Sequence, residues 1–241
     1  NVVIEGETSN PALSYVATAT VDIADFAWVQ SGLEAKAYVS LNGDLTADMT
    51  LDADTRYLLD DVFTVKSGNT LTIPAGTKIT ALDGGASIYI AVEKGATINI
   101  NGTEDNPVVM GSLNGNRGDW GGLVICGEAV TTEGVDATAE VGGLIYGGTD
   151  DNDDSGSIDY LIINYAGAQI NSDSQYNGLT LYSVGAQTEI TNVAILNGED
   201  DGVEFFGGTA SVTNLYLENN QDDSVDWTEG WRGAITNTYV V

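Results

Sequence analysis

The strongest constraint on the fold is a six-residue pattern that recurs three times near the C-terminus. It reads ITNVAI at 190–195, VTNLYL at 212–217 and ITNTYV at 235–240. A period of about 22 residues is too short for a propeller blade or a helical-hairpin repeat, and short alternating runs of β-branched and aromatic residues exclude a helical coil. The pattern therefore predicts one turn of a parallel β-helix per repeat.

A second strand position recurs in the same region, in the segments 179–182, 203–206 and 225–228. Successive side chains on a strand face opposite ways. We therefore expect two inward ladders, Leu179–Val203–Val225 and Leu181–Phe205–Trp227. The side chains expected to face outward are Thr180, Glu204 and Asp226. Farther toward the N-terminus, GGLVI at 121–125 returns as GGLIY at 142–146 with nearly the same period, which predicts one more turn of the same kind.

Asparagines recur in step with the strands. Stacked asparagines hydrogen-bond along a solenoid and tolerate the left-handed backbone of its turns. We interpret them as turn residues and not as ligands: Asn192, Asn214 and Asn237 in one column, and Asn197 and Asn219 in another.

The pattern divides the chain into two parts. Residues 1–40 lack the repeat and are predicted to form an N-terminal arm or cap. Residues 41–241 are predicted to form a single-stranded parallel β-helix of about 20–24 residues per coil, with thirty glycines available for its turns. Longer loops are expected at 101–119, 128–140 and 148–157, where a rigid scaffold would carry a site.

The charge limits the partners. Seven basic residues against 36 acidic ones give a net charge of −29, which repels nucleic acid and anionic membranes and favours divalent cations, neutral or cationic surfaces and a salty medium. No apolar run approaches the ~20 residues that cross a bilayer. No signal peptide opens the chain, which indicates a cytosolic or an already processed protein. The single cysteine, Cys126, is interpreted as a small buried hydrophobe, because no histidine is present to activate it.

Several segments carry a resemblance to a known group of proteins. They include GDWGGL at 118–123, DDGVEFFGGT at 200–209 and QDDSVDW at 221–227. The chain resembles an uncharacterised family of secreted or surface-anchored bacterial β-helix proteins. The resemblance covers roughly residues 41–241 and implies a right-handed parallel β-helix at the cell surface or outside the cell, without supplying an activity.

The acidic residues also suggest a catalytic alternative. The segment NQDD at 220–223 is similar to the paired aspartates of polygalacturonases, which share this solenoid and hydrolyse pectin with inversion. Inversion needs one protonated and one ionised carboxyl group with a water between them. The histidine and the Arg-x-Lys clamp of that family have no counterpart, since the chain contains no histidine. The sequence thus leaves the question of an enzyme open and favours a protein that is not one.

A cation site is the preferred use of these acids. Like charges directly opposite each other destabilise a sheet, and a dense set of hard oxygen ligands suits Ca²⁺. Two sites are predicted, against the alternative of an ordinary solvated acidic face. The first stacks two turns and comprises Asp200, Asp201, Glu204, Asp222, Asp223 and Asp226. The second resembles a helix-loop-helix calcium loop at 151–159 with ligands Asp151, Asp153, Ser155 and Asp159, although Ile162 stands where that loop has its last glutamate.

The last residues, ending Tyr239-Val240-Val241, form an apolar strand with nothing to cover the final turn. An open edge over an apolar core is a template for pairing. Either the natural polypeptide continues past Val241 or another molecule covers this end. We expect the N-terminal region of a neighbouring copy to cover it, which gives a head-to-tail homopolymer. The predicted function is a non-enzymatic extracellular structural subunit of a surface fibre or adhesive stalk. The alternative is a carbohydrate-active β-helix that binds or cleaves an extracellular glycan.

Overall fold

The computed structural model describes residues 38–172 and 174–241, and every regular element within them is a β-strand. The predicted arm or cap lies outside the described residues except for its last three positions, which belong to the first strand. The strands in chain order are β1 (Tyr38–Leu45), β2 (Met49–Thr50), β3 (Arg56–Val65), β4 (Thr70–Pro74), β5 (Lys78–Ala81), β6 (Ile90–Val92), β7 (Thr97–Asn101), β8 (Val108–Ser112), β9 (Leu123–Cys126), β10 (Ala137–Thr138), β11 (Ile145–Tyr146), β12 (Gly156–Asn164), β13 (Gln169–Asn171), β14 (Ser174–Gln175), β15 (Leu179–Tyr182), β16 (Glu189–Leu196), β17 (Val203–Phe206), β18 (Ser211–Glu218), β19 (Val225–Thr228) and β20 (Ile235–Val240).

Sixteen of these strands pair in parallel as a right-handed β-helix, which confirms the predicted fold, whereas β10–β11 and β13–β14 form antiparallel pairs. Three stacks run along the solenoid. The first contains the ends of β1 and β3, then β6, β9, β15, β17 and β19. The second contains the starts of β1 and β3, then β5, β8 and the ends of β12, β16, β18 and β20. The third contains β2, β4, β7 and the starts of the same four long strands. Apolar side chains between the stacks form one continuous core.

The asparagine columns form corners of this solenoid, as predicted. Asn192, Asn214 and Asn237 have φ values of 54°, 60° and 58°, a left-handed backbone that lets one strand turn from the third stack into the second. Their side chains form a ladder, in which the Nδ2 of Asn214 donates to the Oδ1 of Asn192 at 2.8 Å. The Nδ2 of Asn219 likewise donates to the Oδ1 of Asn197 at 2.7 Å.

The predicted strand registers of the first stack are confirmed. Leu181 pairs with Phe205, and Phe205 pairs with Trp227. The first two side chains are buried, whereas Trp227 is 60% exposed, because no described strand pairs with β19 on its far side. The ring of Trp231, and not that of Trp227, stacks on the ring of Phe205, with centroids 4.3 Å apart.

One predicted turn is wrong. Residues 142–146 do not repeat 121–125 in the solenoid, because Leu123 pairs with Leu179. Tyr146 instead pairs with Ala137 in an antiparallel hairpin formed by β10 and β11. The single coil from Leu123 to Leu179 is more than twice as long as the predicted period, because it contains an insertion. Coil lengths therefore match the predicted period only where no insertion is present. The loop predicted at 101–119 is also interrupted, by β8.

A second hydrophobic core lies on the outer face of the first stack. The β10–β11 hairpin and its flanks, residues 133–147, cover this face, and the buried members of the cluster are Tyr89, Ala91, Val124, Cys126, Ala139, Val141, Tyr146, Tyr176, Tyr182 and Phe206. Thr180, predicted to face outward, does so but is only 1% exposed under this cover. Cys126 is fully buried here, as predicted, and burial raises the pKa of its thiol.

The outward column that contains Thr180 changes character along the solenoid. In register it runs Ala91, Val124, Thr180, Glu204 and Asp226. The apolar members lie under the hairpin, and the two acids lie at the end of the column. Among the described residues, no helix has the length and apolarity needed to span a membrane.

Candidate metal centre

Adjacent coils place acids next to each other on the first stack. The outward residues Glu204 of β17 and Asp226 of β19 are directly paired. The turns that precede these strands add Asp200 and Asp201 on one coil and Asp222 and Asp223 on the next. The predicted stacking of two acidic turns is therefore present in the fold.

Five of these six acids form two groups that share Asp201. Carboxylate oxygens of Asp201, Glu204 and Asp226 lie within 4.8 Å of one another, and so do those of Asp200, Asp201 and Asp222. Asp223 belongs to neither group, although its backbone N–H donates to Oδ1 of Asp201 at 2.8 Å. We call Asp201, Glu204 and Asp226 the acid triad.

A buried amide lies beside the triad. Asn177 is 1% exposed, and its Nδ2 donates to Oε2 of Glu204 at 2.7 Å and to Oγ1 of Thr180 at 3.3 Å. Its Oδ1 has no hydrogen-bond partner within the described part of the chain. A buried oxygen of this kind carries an unmet desolvation cost. Because Oδ1 is on the same amide group as Nδ2, it lies within about 5 Å of the Glu204 carboxylate. Asn177 was not identified from the sequence.

Burial dominates the electrostatics of these acids. It raises the pKa of Glu204 to about 9, with Asp201 and Asp226 adding repulsion and the Asn177 amide opposing the shift. Burial also raises the pKa of Asp201 to about 7 and that of Asp200 to about 6, each with further repulsion from neighbouring acids. Glu204 therefore retains its proton near neutral pH, and Asp201 retains it in part, unless a cation replaces these protons.

Among the described residues, no basic side chain forms an ion pair with the triad. The ion pairs of the described residues join Lys66 to Asp44 and Glu93, Lys94 to Asp136, and Arg232 to Asp151. Arg117 directs its Nη1 to the carbonyl oxygen of Gly198 at 2.7 Å. The negative charge of these acids is thus neutralised by protonation, by solvent ions or by a bound metal.

Of the predicted ligands in the calcium-like loop at 151–159, the described structure brings only Asp153 and Ser155 into contact. Asp151 forms a two-point ion pair with Arg232, at 2.6 and 2.8 Å. Asp153 is 8% exposed and accepts from Oγ of Ser155 at 3.1 Å and from the N–H of Gly185 at 3.2 Å. Asp159 lies on β12 and accepts from Asn192 at 2.7 Å. These side chains anchor neighbouring coils to one another, and no acid group suited to a metal forms among them in the described structure.

The geometry also bears on catalysis. The close approach of the triad oxygens, within 4.8 Å, is shorter than the ~6.5–9.5 Å between the carboxyl groups of inverting glycosidases. An oxygen-rich, repelling cluster beside a carbonyl-type oxygen is instead the donor set that a hard divalent cation prefers.

Comparison with protein families gives one result. The family model described as a pectate-lyase-like β-helix domain matches residues 43–241, which is most of the chain. No curated protein and no solved structure gives a significant match.

Proposed function

Because the chain belongs to the pectate-lyase-like β-helix family, we propose that it is a non-enzymatic structural protein of the cell exterior whose acid triad binds Ca²⁺. The observation that carries this proposal is the acid triad with the unpartnered Oδ1 of Asn177 beside it. Three carboxylates and an amide oxygen, completed by water, supply the six to eight oxygen ligands that Ca²⁺ takes in flexible geometry.

The charge of the protein supports the location and the ion. The net charge of −29 means that the acidic side chains of the protein repel one another, and a medium rich in salt and Ca²⁺ screens that repulsion. Extracellular modules typically bind Ca²⁺ in the ~10⁻⁴–10⁻³ M range. An ion in the triad would also join two coils, because Asp201 and Glu204 belong to one coil and Asp226 to the next.

Thermal unfolding tests calcium binding. Ca²⁺ that binds only the folded state should stabilise the wild-type protein by about 2.7 kcal/mol at a hundredfold excess over Kd. Asp226→Asn should lose most of this gain. Asp105→Asn, at an exposed acid remote in sequence from the triad, should keep it and serves as the charge-matched control. Equal calcium-dependent stabilisation of the wild type and Asp226→Asn would refute the assignment to the triad.

We further propose that copies associate head to tail. Within the described structure β20 pairs with β18 only, and β1 pairs with β3 only, so each of these two strands has an edge that no described strand pairs with. Trp227, Tyr239 and Val240 are 60%, 62% and 53% exposed beside one of these edges. Joining the two edges is a heterologous contact that does not close, which produces a filament.

The backbone of β20 supplies a sharp test. The N–H of Val241 donates to Leu217, so the alternating N–H of Val240 points toward the free edge. Val240→Pro removes that donor and should abolish association, whereas the control Val240→Ala keeps the N–H and should still associate. Sedimentation velocity and electron microscopy measure the outcome. A wild-type protein that stays monomeric at high concentration would refute head-to-tail assembly.

Glycan binding is the second candidate. A polar cavity of about 300 Å³ adjoins the acid cluster, and its lining residues are Gln169, Gln175, Glu199, Asp200, Gln221 and Asp222. Glutamine amides and carboxylates are suited to hydrogen-bonding sugar hydroxyls. Calorimetric titration with a neutral hexasaccharide should then give saturable heat that Gln221→Ala reduces and the exposed control Gln187→Ala does not. Release of reducing ends would indicate cleavage, and an absence of heat would remove this candidate.

A further inference from the structure

A second cavity lies beneath the β10–β11 hairpin. Its volume is about 300 Å³, and six of the residues that line it are Glu133, Glu140, Glu229, Tyr146, Tyr182 and Phe206. The walls thus combine three carboxylates with three aromatic rings, and no lysine or arginine lines the cavity among the described residues. We call it the Tyr182 cavity.

The cavity contains a buried polar group that has no protein partner. Tyr182 is 1% exposed, and its hydroxyl forms no hydrogen bond with any described residue. By contrast, the hydroxyl of Tyr146 donates to the Glu229 carboxylate at 2.8 Å. Buried hydroxyl groups normally find a partner. A group that hydrogen-bonds inside the cavity would satisfy this hydroxyl.

Stacked rings form one wall. The ring of Tyr182 lies 4.8 Å from that of Tyr146 and 4.3 Å from that of Phe206, measured between centroids. Aromatic rings attract organic cations through their π systems, whereas Ca²⁺ requires a shell of oxygens that rings cannot supply. The volume is also about ten times the ~30 Å³ share of a single water molecule, so the cavity is large for a bare ion.

The carboxylates of the cavity determine the sign of the charge that a ligand should carry. Burial and repulsion from Asp200 and Glu229 raise the pKa of Glu140, so negative charge is crowded at the mouth of the cavity. An anionic sugar would add to this repulsion, and an ammonium group would relieve it while donating to the carboxylates and to the Tyr182 hydroxyl. We propose that the Tyr182 cavity binds a small organic cation that carries a primary ammonium group.

Calorimetric titration of the whole chain with 1,4-diaminobutane at fixed ionic strength tests this proposal, with a neutral monosaccharide as the comparison ligand. Saturable binding of the diamine is expected. Tyr182→Phe should weaken it about two- to tenfold, the usual contribution of one hydrogen bond. Tyr176→Phe removes a hydroxyl that does not line this cavity and should leave affinity unchanged.

Glu140→Gln provides a variant on the exposed side of the site that does not alter a buried ring. It should weaken diamine binding by at least as much as Tyr182→Phe, because it removes a charge–charge attraction. Three results would overturn the proposal: no saturable heat with folded wild-type protein, equal affinities for Tyr182→Phe and Tyr176→Phe, or saturation by the neutral sugar and not by the diamine.

Discussion

Replacing Glu204 with glutamine should stabilise the calcium-free protein at alkaline pH. The substitution keeps an oxygen that accepts from Asn177 and removes a carboxyl group whose ionisation the folded state disfavours but the unfolded state allows. The free energy of unfolding of the variant should exceed that of the wild type at pH 8. At pH 4, where the wild-type carboxyl is protonated in the folded state, the two proteins should be nearly equal in stability.

The magnitude follows from the pKa. A rise from 4.5 to about 9 means that the folded state binds a proton more tightly than the unfolded state. The stability that the protonated carboxyl contributes is therefore fully present below the pKa of the unfolded state. It is lost as the pH rises toward the pKa of the folded state. At about 1.4 kcal/mol per pH unit, the rise from the unfolded pKa of 4.5 to pH 8 corresponds to about 5 kcal/mol, because the folded carboxyl stays mostly protonated at pH 8. Relaxation of the neighbours and access of water reduce the expected gain to about 3 kcal/mol.

The assay is urea unfolding with a chelator at both pH values. Glu189→Gln, an exposed glutamate on β16, changes the net charge equally and should alter stability by less than about 0.5 kcal/mol. If Glu204→Gln is no more stable than this control at pH 8, or if the wild type does not lose stability between pH 4 and 8 relative to the variant, the electrostatic argument is wrong.

Two further expectations concern the core and the coupling of metal to protons. Phe205→Ala should lower the free energy of unfolding by about 3–5 kcal/mol, because Phe205 is fully buried. Trp227→Ala, at the exposed end of the same ladder, should lower it far less. Chemical denaturation measures both losses, and similar losses would contradict the ladder. Ca²⁺ binding at pH 7 should release at least about one proton, since Glu204 and Asp201 have pKa values of about 9 and about 7. Calorimetry in buffers of different ionisation enthalpy measures that number. Observed calcium heats that do not depend on the buffer would mean that no proton is released and would place the ion elsewhere.

The solenoid registers could be predicted because they depend on local patterns. Alternation and a constant period align residues such as Leu181 and Phe205 without knowledge of anything distant in sequence. The segment 142–146 is wrongly predicted as a solenoid strand because its Gly-Gly-apolar sequence matches that of such a strand. Its position depends instead on the antiparallel pairing of Tyr146 with Ala137. A period alone cannot distinguish an insertion from a coil.

The candidate site was predicted only in part. The stacking of Glu204 on Asp226 follows from the register, but the hydrogen bond from Asn177 to Glu204 joins residues 27 positions apart that no repeat relates. One signal was present in the sequence. Tyr182 and Phe206 are large apolar residues at outward positions, and strands that are apolar on both faces are typical of sheets covered on both sides.

A crystal structure of the protein grown with Ca²⁺, with the ion located by its anomalous scattering, tests calcium binding by the acid triad. We expect an anomalous peak among the carboxylates of Asp201, Glu204 and Asp226, with Oδ1 of Asn177 at the ~2.3–2.6 Å typical of calcium ligands. A peak only at the 151–159 loop, or no peak in crystals that contain saturating Ca²⁺, would contradict it.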